Sequence, residues 1–144
     1  MIVVPKKSKW RYLVVSIIGG ILFGVMDGLI NANPFAQTLY AVYQSIAKTS
    51  LDIYAGLVID LAYGFILAGI FLILYASLPG ETGLVKGISF AALVWFLRVV
   101  MSVASSWLMF QIPVSTLAYI LVTGFIEMLI LGILFGLALK SEGG

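Results

Sequence analysis

Long runs of apolar residues alternate with short polar stretches along the chain. Four of these runs meet the length of about 20 residues that a helix needs to cross the hydrocarbon core of a bilayer. They cover approximately residues 12–30, 52–78, 84–110 and 113–139. Polar and apolar residues do not alternate strictly within them, which argues against a transmembrane β-barrel. The pattern therefore predicts four transmembrane helices, called spans 1 to 4 below.

Short turn signals separate the last three spans. The segment 78–83 contains proline and two glycines, and Pro113 follows Gln111 and Ile112 directly before span 4. Helices joined by such short connections are expected to be antiparallel neighbours. The predicted fold class is an all-α membrane protein, an antiparallel bundle of four transmembrane helices, with residues 1–144 forming a single integral membrane domain.

The connection between spans 1 and 2 is the long one, and it has a helical pattern of its own. Asn33 is a typical N-cap residue and Pro34 suits the first helical position. Apolar residues then recur at helical spacing: Phe35, Leu39, Val42, Tyr43 and Ile46. We expect a short amphipathic helix in this outer loop, which acts either as a connector in the headgroup region or as a lid over the bundle.

Basic residues are distributed unevenly over the two ends of the predicted bundle. One end carries six of them: Lys6, Lys7, Lys9, Arg11, Lys86 and Lys140. The other end has only Lys48. Since connections rich in Lys and Arg stay in the cytoplasm, we expect both termini to be cytoplasmic and the protein to be a multi-pass protein of the cytoplasmic membrane. A cleaved secretory signal explains span 1 less well, because the run is long and contains Asp27.

Composition narrows the possible chemistry. The chain is 62% hydrophobic and 10% charged, with a mean hydropathy of +1.18. It contains neither cysteine nor histidine, so thiolate or imidazole metal sites, haem ligation and Ser-His-Asp catalysis are not expected. We expect no catalytic residue, no metal, no cofactor and no nucleic-acid partner. The expected partners are the lipid bilayer and either further copies of this chain or another membrane protein.

Glycines recur along three of the spans at spacings that place them on one helix face. They are Gly20, Gly24 and Gly28 in span 1, Gly56 and Gly64 in span 2, and Gly132 and Gly136 in span 4. Small residues on one face allow helix backbones to approach closely in a membrane, where apolar side chains alone give little driving force. These glycines predict helix packing, within one chain or between chains.

Four ionisable residues interrupt the apolar runs: Asp27, Asp60, Arg98 and Glu127. A charge at the centre of a membrane helix costs about 2.5–3.5 kcal/mol on insertion scales, so such residues usually have a partner or a function. Arg98 and Glu127 both lie near the middle of their spans, which predicts an ion pair between them. Asp60 and Asp27 lie nearer the outer ends, so all four can belong to one site.

Hydroxyl groups are predicted to extend this polar face. Ser102 and Ser105 follow Arg98 by four and seven residues, and Thr123 precedes Glu127 by four. Three acids and one arginine would leave an excess of negative charge inside the bundle. A proton, a cation or a cationic ligand is needed to offset that excess, and Asp60 is the candidate to bind it because it has no evident partner.

These features favour a small oligomeric transporter or channel for a proton, a cation or a small polar solute. A second hypothesis is a non-catalytic subunit that anchors or assembles a larger membrane complex. The glycines and a buried ion pair would then serve packing alone. The third hypothesis is a small membrane enzyme that uses the three carboxyl groups for acid–base chemistry. No protease-type Gly-x-Gly-Asp motif and no phosphate-binding loop accompanies them.

Overall fold

The fold is built from helices that match the four apolar runs. A computed structural model describes residues 6–48, 50 and 52–139. Its α-helices are α1 (Lys6–Ala32), α2 (Pro34–Leu39), α3 (Ile53–Leu74), α4 (Gly83–Trp95), α5 (Met101–Met109) and α6 (Val114–Ala138). Spans 1, 2 and 4 are α1, α3 and α6, and span 3 consists of α4 and α5. Four helices long and apolar enough to cross a membrane are thus confirmed.

Three irregular turns accompany these helices. Four residues, Tyr40–Tyr43, continue α2 as a 3₁₀ turn, and Tyr75–Ser77 extend α3 in the same way. The third is a π-helical turn, Phe96–Val100, which joins α4 to α5 in the middle of span 3. A π turn widens the helix and is often associated with function.

Polar side chains define where several helices begin. The backbone N–H of Ala36 donates to Oδ1 of Asn33 over 2.8 Å, which caps α2 ahead of Pro34. Asp52 caps α3 and Thr82 caps α4 in the same manner. Each side-chain oxygen satisfies a backbone donor that has no partner within its helix. These local signals explain why α2, α3 and α4 begin within one residue of the positions predicted from the sequence, whereas α1 begins at Lys6, six residues before the predicted start of span 1.

The turn between spans 2 and 3 is closed by a lysine. Lys86 Nζ donates to the carbonyl oxygens of Tyr75 over 2.6 Å and of Leu78 over 3.0 Å. The ammonium group also lies 4.8 Å from the centre of the Tyr75 ring. The lysine therefore adds hydrogen bonds to two carbonyls at the end of span 2, where the helix itself leaves carbonyls short of donors. We call this end of the bundle the terminal end and the opposite end, which carries α2, the loop end.

Glycines determine which helices pack most closely. Gly64 of α3 lies against the backbone of Ser16 and Gly20 in α1, and Gly87 of α4 lies against Gly132 and Gly136 in α6. The bundle therefore consists of an α1/α3 pair and an α4/α6 pair, joined mainly by contact between α1 and α6.

Spans 2 and 3 are predicted to be neighbours, but they contact each other mainly near the turn that connects them. Phe71 of α3 and Phe90 of α4 meet near the connecting turn, with ring centres 5.3 Å apart. Phe135 of α6 completes this aromatic core at the terminal end. A short connection thus brings the ends of two helices together, while the glycine faces decide with which helix each one packs along its length.

Candidate functional site

All four intramembrane charges meet in one cluster, to which each span contributes one residue. Glu127 is buried, with 4% of its surface exposed, and Asp27, Asp60 and Arg98 are half-buried. The charges of Asp27, Arg98 and Asp60 all act on the Glu127 carboxyl group. We refer to these four residues as the charge cluster. Arg98 and Glu127 lie near the middle of their spans, whereas Asp27 and Asp60 lie nearer the loop end of α1 and α3, so the four residues meet on the loop-end side of the bundle centre.

Asp60 occupies a space that a glycine leaves open. A Cβ atom at Gly24 would lie only 2.6 Å from Oδ2 of Asp60, and one at Gly20 would lie 2.8 Å from the Asp60 carbonyl oxygen. The carboxyl group therefore rests directly on the surface of α1. Two of the glycines predicted to pack helices have the additional effect of admitting an acidic side chain to the interface between α1 and α3.

Glu127 and Asp27 form the most unusual pair in the cluster. Oε2 of Glu127 is buried and has no hydrogen-bond partner. The Asp27 side chain is within hydrogen-bonding reach of the Glu127 carboxyl group. Two carboxylates have no donor hydrogen between them, so a proton or a bound cation is needed to join them. The arrangement leaves acceptor capacity free at a depth where water is scarce.

Arg98 lies in the π turn of span 3, and its guanidinium lies beside a pair of aromatic rings that contact each other. Its guanidinium carbon lies 5.2 Å from the centre of the Phe23 ring and 5.2 Å from that of the Tyr63 ring. Among the described residues, no carboxylate makes an ion-pair contact with it. The direct pair predicted between Arg98 and Glu127 is therefore absent, because the guanidinium stacks on the rings of α1 and α3.

Neighbouring contacts hold the π turn against α6. Trp95 Nε1 donates to the Leu121 carbonyl oxygen over 2.9 Å. Val99 packs on Gly124, where a Cβ atom would lie 2.9 Å from the valine side chain. These contacts fix span 3 to α6 on either side of Arg98, so the backbone from which its side chain extends is held in place.

The structure does not bring the predicted hydroxyl groups to the charge cluster. Ser102 and Ser105 are exposed on the surface of the bundle. Thr123 Oγ1 donates to the Tyr119 carbonyl oxygen of its own helix over 2.7 Å. The π turn explains the position of the serines, because the extra residue in its i→i+5 pattern makes Val99 and Val103 continue the inward face of α4 and leaves both serines on the outside.

A polar and aromatic contact closes the loop end of the bundle. Tyr119 Oη donates to the Ile30 carbonyl oxygen over 2.6 Å and accepts a 3.2 Å bond from Asn33 Nδ2. Thr116 Oγ1 donates to the Leu39 carbonyl oxygen over 2.6 Å. These bonds attach α2 to both α1 and α6. Together, α2 and the turn Tyr40–Tyr43 form what we call the loop cover.

Tyr40 connects the loop cover to Tyr119 of α6. Its ring packs against Tyr119, with centres 5.8 Å apart. Burial raises the pKa of Tyr40 to about 12, with further contributions from the phenols of Tyr119 and Tyr43 and from the carboxyl groups of Glu127 and Asp27. The phenol consequently stays neutral at physiological pH. The contact with Tyr119 places Tyr40 at the loop end of the bundle.

Sequence reasoning missed the aromatic members of the site. Phe23 precedes Asp27 by four residues and Tyr63 follows Asp60 by three, so helical spacing places each ring on the face of an acid. This spacing is the feature of the sequence from which the two rings could have been predicted. Tyr119 carries the same kind of signal, since it precedes Thr123 by four residues and Glu127 by eight. Tyr40 carries none, because only the folded loop brings it to Tyr119.

The predicted packing glycines divide into two groups. Gly20, Gly24, Gly64, Gly132 and Gly136 face a neighbouring helix at close range. Nothing in the described part of the chain lies within 4 Å of a Cβ atom built at Gly28 or Gly56. Those two glycines thus have no packing partner among the described residues.

Comparisons with known proteins return no match. No family model, no curated protein and no solved structure resembles this chain. In the described residues, no group of three or more acidic side chains is arranged to hold a metal ion. The charge cluster and its surroundings are therefore the basis for any functional conclusion.

Proposed function

We propose that this protein is an oligomeric transporter or channel, in which the charge cluster binds a proton, a small cation or a small polar solute during passage through the membrane. The observation that carries the proposal is the buried Oε2 atom of Glu127, which has no hydrogen-bond partner. An unsatisfied carboxyl oxygen at this depth is costly unless a ligand uses it. Asp27 and Asp60 supply further negative charge beside it.

The arrangement of Arg98 supports a binding site over a purely structural role. In a structural ion pair, the two charged groups satisfy one another by direct contact. Here the guanidinium stacks on Phe23 and Tyr63, and the Glu127 oxygen stays available. The arginine supplies fixed positive charge close to the acids without occupying their oxygens. Such a cluster can accept and release a cation at modest cost.

Two further features fit the proposal. The loop cover is attached to α1 and α6 at the loop end, the end towards which Asp27 lies in α1, so it can limit access to the acids from that end. Gly28 and Gly56 lack a packing partner within the described residues, which favours association with a second copy of the chain. The same two glycines would also suit the alternative role, a non-catalytic subunit that anchors or assembles a membrane complex.

Flux measurements on reconstituted protein test the proposal. Liposomes that contain the purified protein and a pH-sensitive dye should show flux driven by a pH or cation gradient. Asp60→Asn and Glu127→Gln should each lower that flux by at least about tenfold, equivalent to roughly 1.4 kcal/mol of binding free energy. Glu81→Gln, in the exposed turn at the terminal end, is the matched control and should keep wild-type flux.

Two results would contradict the proposal. The first is a wild-type protein that produces no more flux than empty liposomes under any cation or proton gradient. The second is flux that survives both substitutions of the charge cluster at the level of the Glu81→Gln control. Correct folding of each variant should be checked by its helical circular dichroism and its monodisperse elution in detergent.

A further inference from the structure

The two aromatic rings around Arg98 suggest a role in the proposed site. We infer that Phe23 and Tyr63 are positioning residues, which hold the Arg98 guanidinium away from Glu127 and thereby keep the acid free for its ligand. The inference rests on the proposed function, since it concerns the ligand-binding carboxyl group of that site. It also identifies the competitor that the ligand has to exclude, which is the protein's own arginine.

The geometry of the rings supports this role. Phe23 comes from α1 and Tyr63 from α3, and their ring centres lie 4.9 Å apart with planes inclined by 50°. The guanidinium carbon is equidistant from both, at 5.2 Å. Phe23 is almost completely buried, with 1% of its surface exposed. The guanidinium is therefore held by rings from spans 1 and 2, while Glu127, the acid that attracts it, belongs to span 4.

The two aromatic rings and Glu127 compete for the Arg98 guanidinium. Attraction between unlike charges is strong where water is scarce, so Arg98 and Glu127 would be expected to form a direct pair. They do not, although the arginine is close enough for its charge to act on the acid. Cation–π contacts gain strength when the cation is desolvated, and two rings act together here. The π turn Phe96–Val100 sets the direction from which the side chain reaches them.

Removal of a ring should let the arginine close the site. Without one of the two rings, the guanidinium can move to Glu127 and neutralise its charge. The excess negative charge that attracts a cation then becomes smaller. The ligand that fits a site controlled in this way is itself a cation, because it has to replace positive charge that the arginine could supply. A proton and a small monovalent cation both meet this condition.

Substitution of Tyr63 gives the cleanest test. Tyr63→Leu should lower flux by about five- to thirtyfold, the range between an exposed and a desolvated cation–π contact. Tyr63→Phe retains the ring and should restore flux close to the wild-type value. Phe65→Leu is the matched control on the same helix, because Phe65 packs on Tyr12, with ring centres 5.9 Å apart, and makes no stacking contact with Arg98. The control should leave flux unchanged.

A double-mutant cycle separates positioning from packing. If the ring acts by restraining the arginine, Tyr63→Leu should have no further effect in an Arg98→Gln background. An equal loss of flux in both backgrounds would show that Tyr63 merely fills space, and it would overturn the inference. Phe23→Leu should behave in the same way as Tyr63→Leu.

A second measurement does not depend on transport. A hydrophobic carbodiimide modifies protonated carboxyl groups inside membranes, and mass spectrometry can follow the modification of Glu127. Tyr63→Leu should slow this modification by forming the ion pair, while Tyr63→Phe and Phe65→Leu should not. Equal rates in all variants would refute the positioning role. Slower modification in Tyr63→Leu without any wild-type flux would instead retain that role and reject transport.

Discussion

At the scale of single residues, size matters as much as charge in this bundle. Glu127 and Arg98 can be recognised in the sequence as buried charges, but their partners depend on neighbouring small and aromatic residues. Gly24 makes room for Asp60, and the rings of Phe23 and Tyr63 hold Arg98. The identity of a charged residue therefore predicts that it needs a partner, while its neighbours decide which partner it has.

Replacement of a packing glycine tests this dependence on size. A Cβ atom at Gly87 would collide with the Gly132 backbone, lying 2.9 Å from its carbonyl carbon. Gly87→Ala should therefore separate α4 from α6 and lower the melting temperature of the detergent-solubilised protein by several degrees, despite a gain in helix propensity of up to about 1 kcal/mol. Differential scanning fluorimetry provides the measurement.

The matched control is Gly69→Ala, where a Cβ atom would lie 3.4 Å from the Tyr12 hydroxyl oxygen, an ordinary contact distance. This variant should match the wild-type melting temperature or exceed it, because only the helix propensity changes. Equal destabilisation by both substitutions would show that close packing at Gly87 is not what holds the two helices together.

At the scale of elements, irregular turns have larger effects than their length suggests. The π turn Phe96–Val100 rotates the second half of span 3, so Val99 and Val103 face the interior while Ser102 and Ser105 face outward. A regular helix would have kept both serines near the face of Arg98. The loop cover is a second such element, since a few hydrogen bonds decide whether a short helix stays attached to α1 and α6.

The attachment of the loop cover can be weakened at one hydroxyl group. Thr116→Val removes the 2.6 Å hydrogen bond to the Leu39 carbonyl oxygen with little change in volume. A typical hydrogen bond contributes about 0.5–1.5 kcal/mol net, so backbone amides in residues 33–43 should exchange about two- to tenfold faster with deuterium. Hydrogen–deuterium exchange followed by mass spectrometry reports this change.

Thr38→Val is the control for this prediction. Its hydroxyl group donates to the Pro34 carbonyl oxygen over 3.1 Å, within α2 itself. The same chemical change at this position should leave the contact between α2 and α6 intact and have a smaller effect on exchange. Faster exchange in Thr38→Val than in Thr116→Val would mean that α2 is not attached through Thr116.

At the scale of the whole molecule, the charge distribution predicts how the bundle is inserted. Lys86 closes the terminal end and the N-terminal basic residues belong to the same end, whereas Lys48 belongs to the loop end. Retention of Lys- and Arg-rich connections in the cytoplasm would place the loop cover on the outer side. The proposed site would then be reached from the outside through the loop cover.

Single cysteines can test this orientation, because the chain has no cysteine of its own. Gln44→Cys at the loop end should react with a membrane-impermeant maleimide in intact cells. Ser77→Cys at the terminal end should react only after the cells are permeabilised. Both positions are exposed in the structure. Labelling of Ser77→Cys in intact cells would reverse the orientation, and labelling of both positions would indicate insertion in two orientations.

Local features of the sequence were sufficient to determine the four spans, their approximate boundaries and the presence of four intramembrane charges. Apolar runs and capping residues act over a single helix, and they have the same physical meaning whatever the neighbours are. The tertiary structure alone decided that α1 pairs with α3 and α4 with α6, that Arg98 stacks on aromatic rings, and that Glu127 keeps an unpartnered oxygen. These outcomes depend on competition between partners from different helices and on the rotation introduced by one π turn, neither of which is visible in the spacing along a single helix.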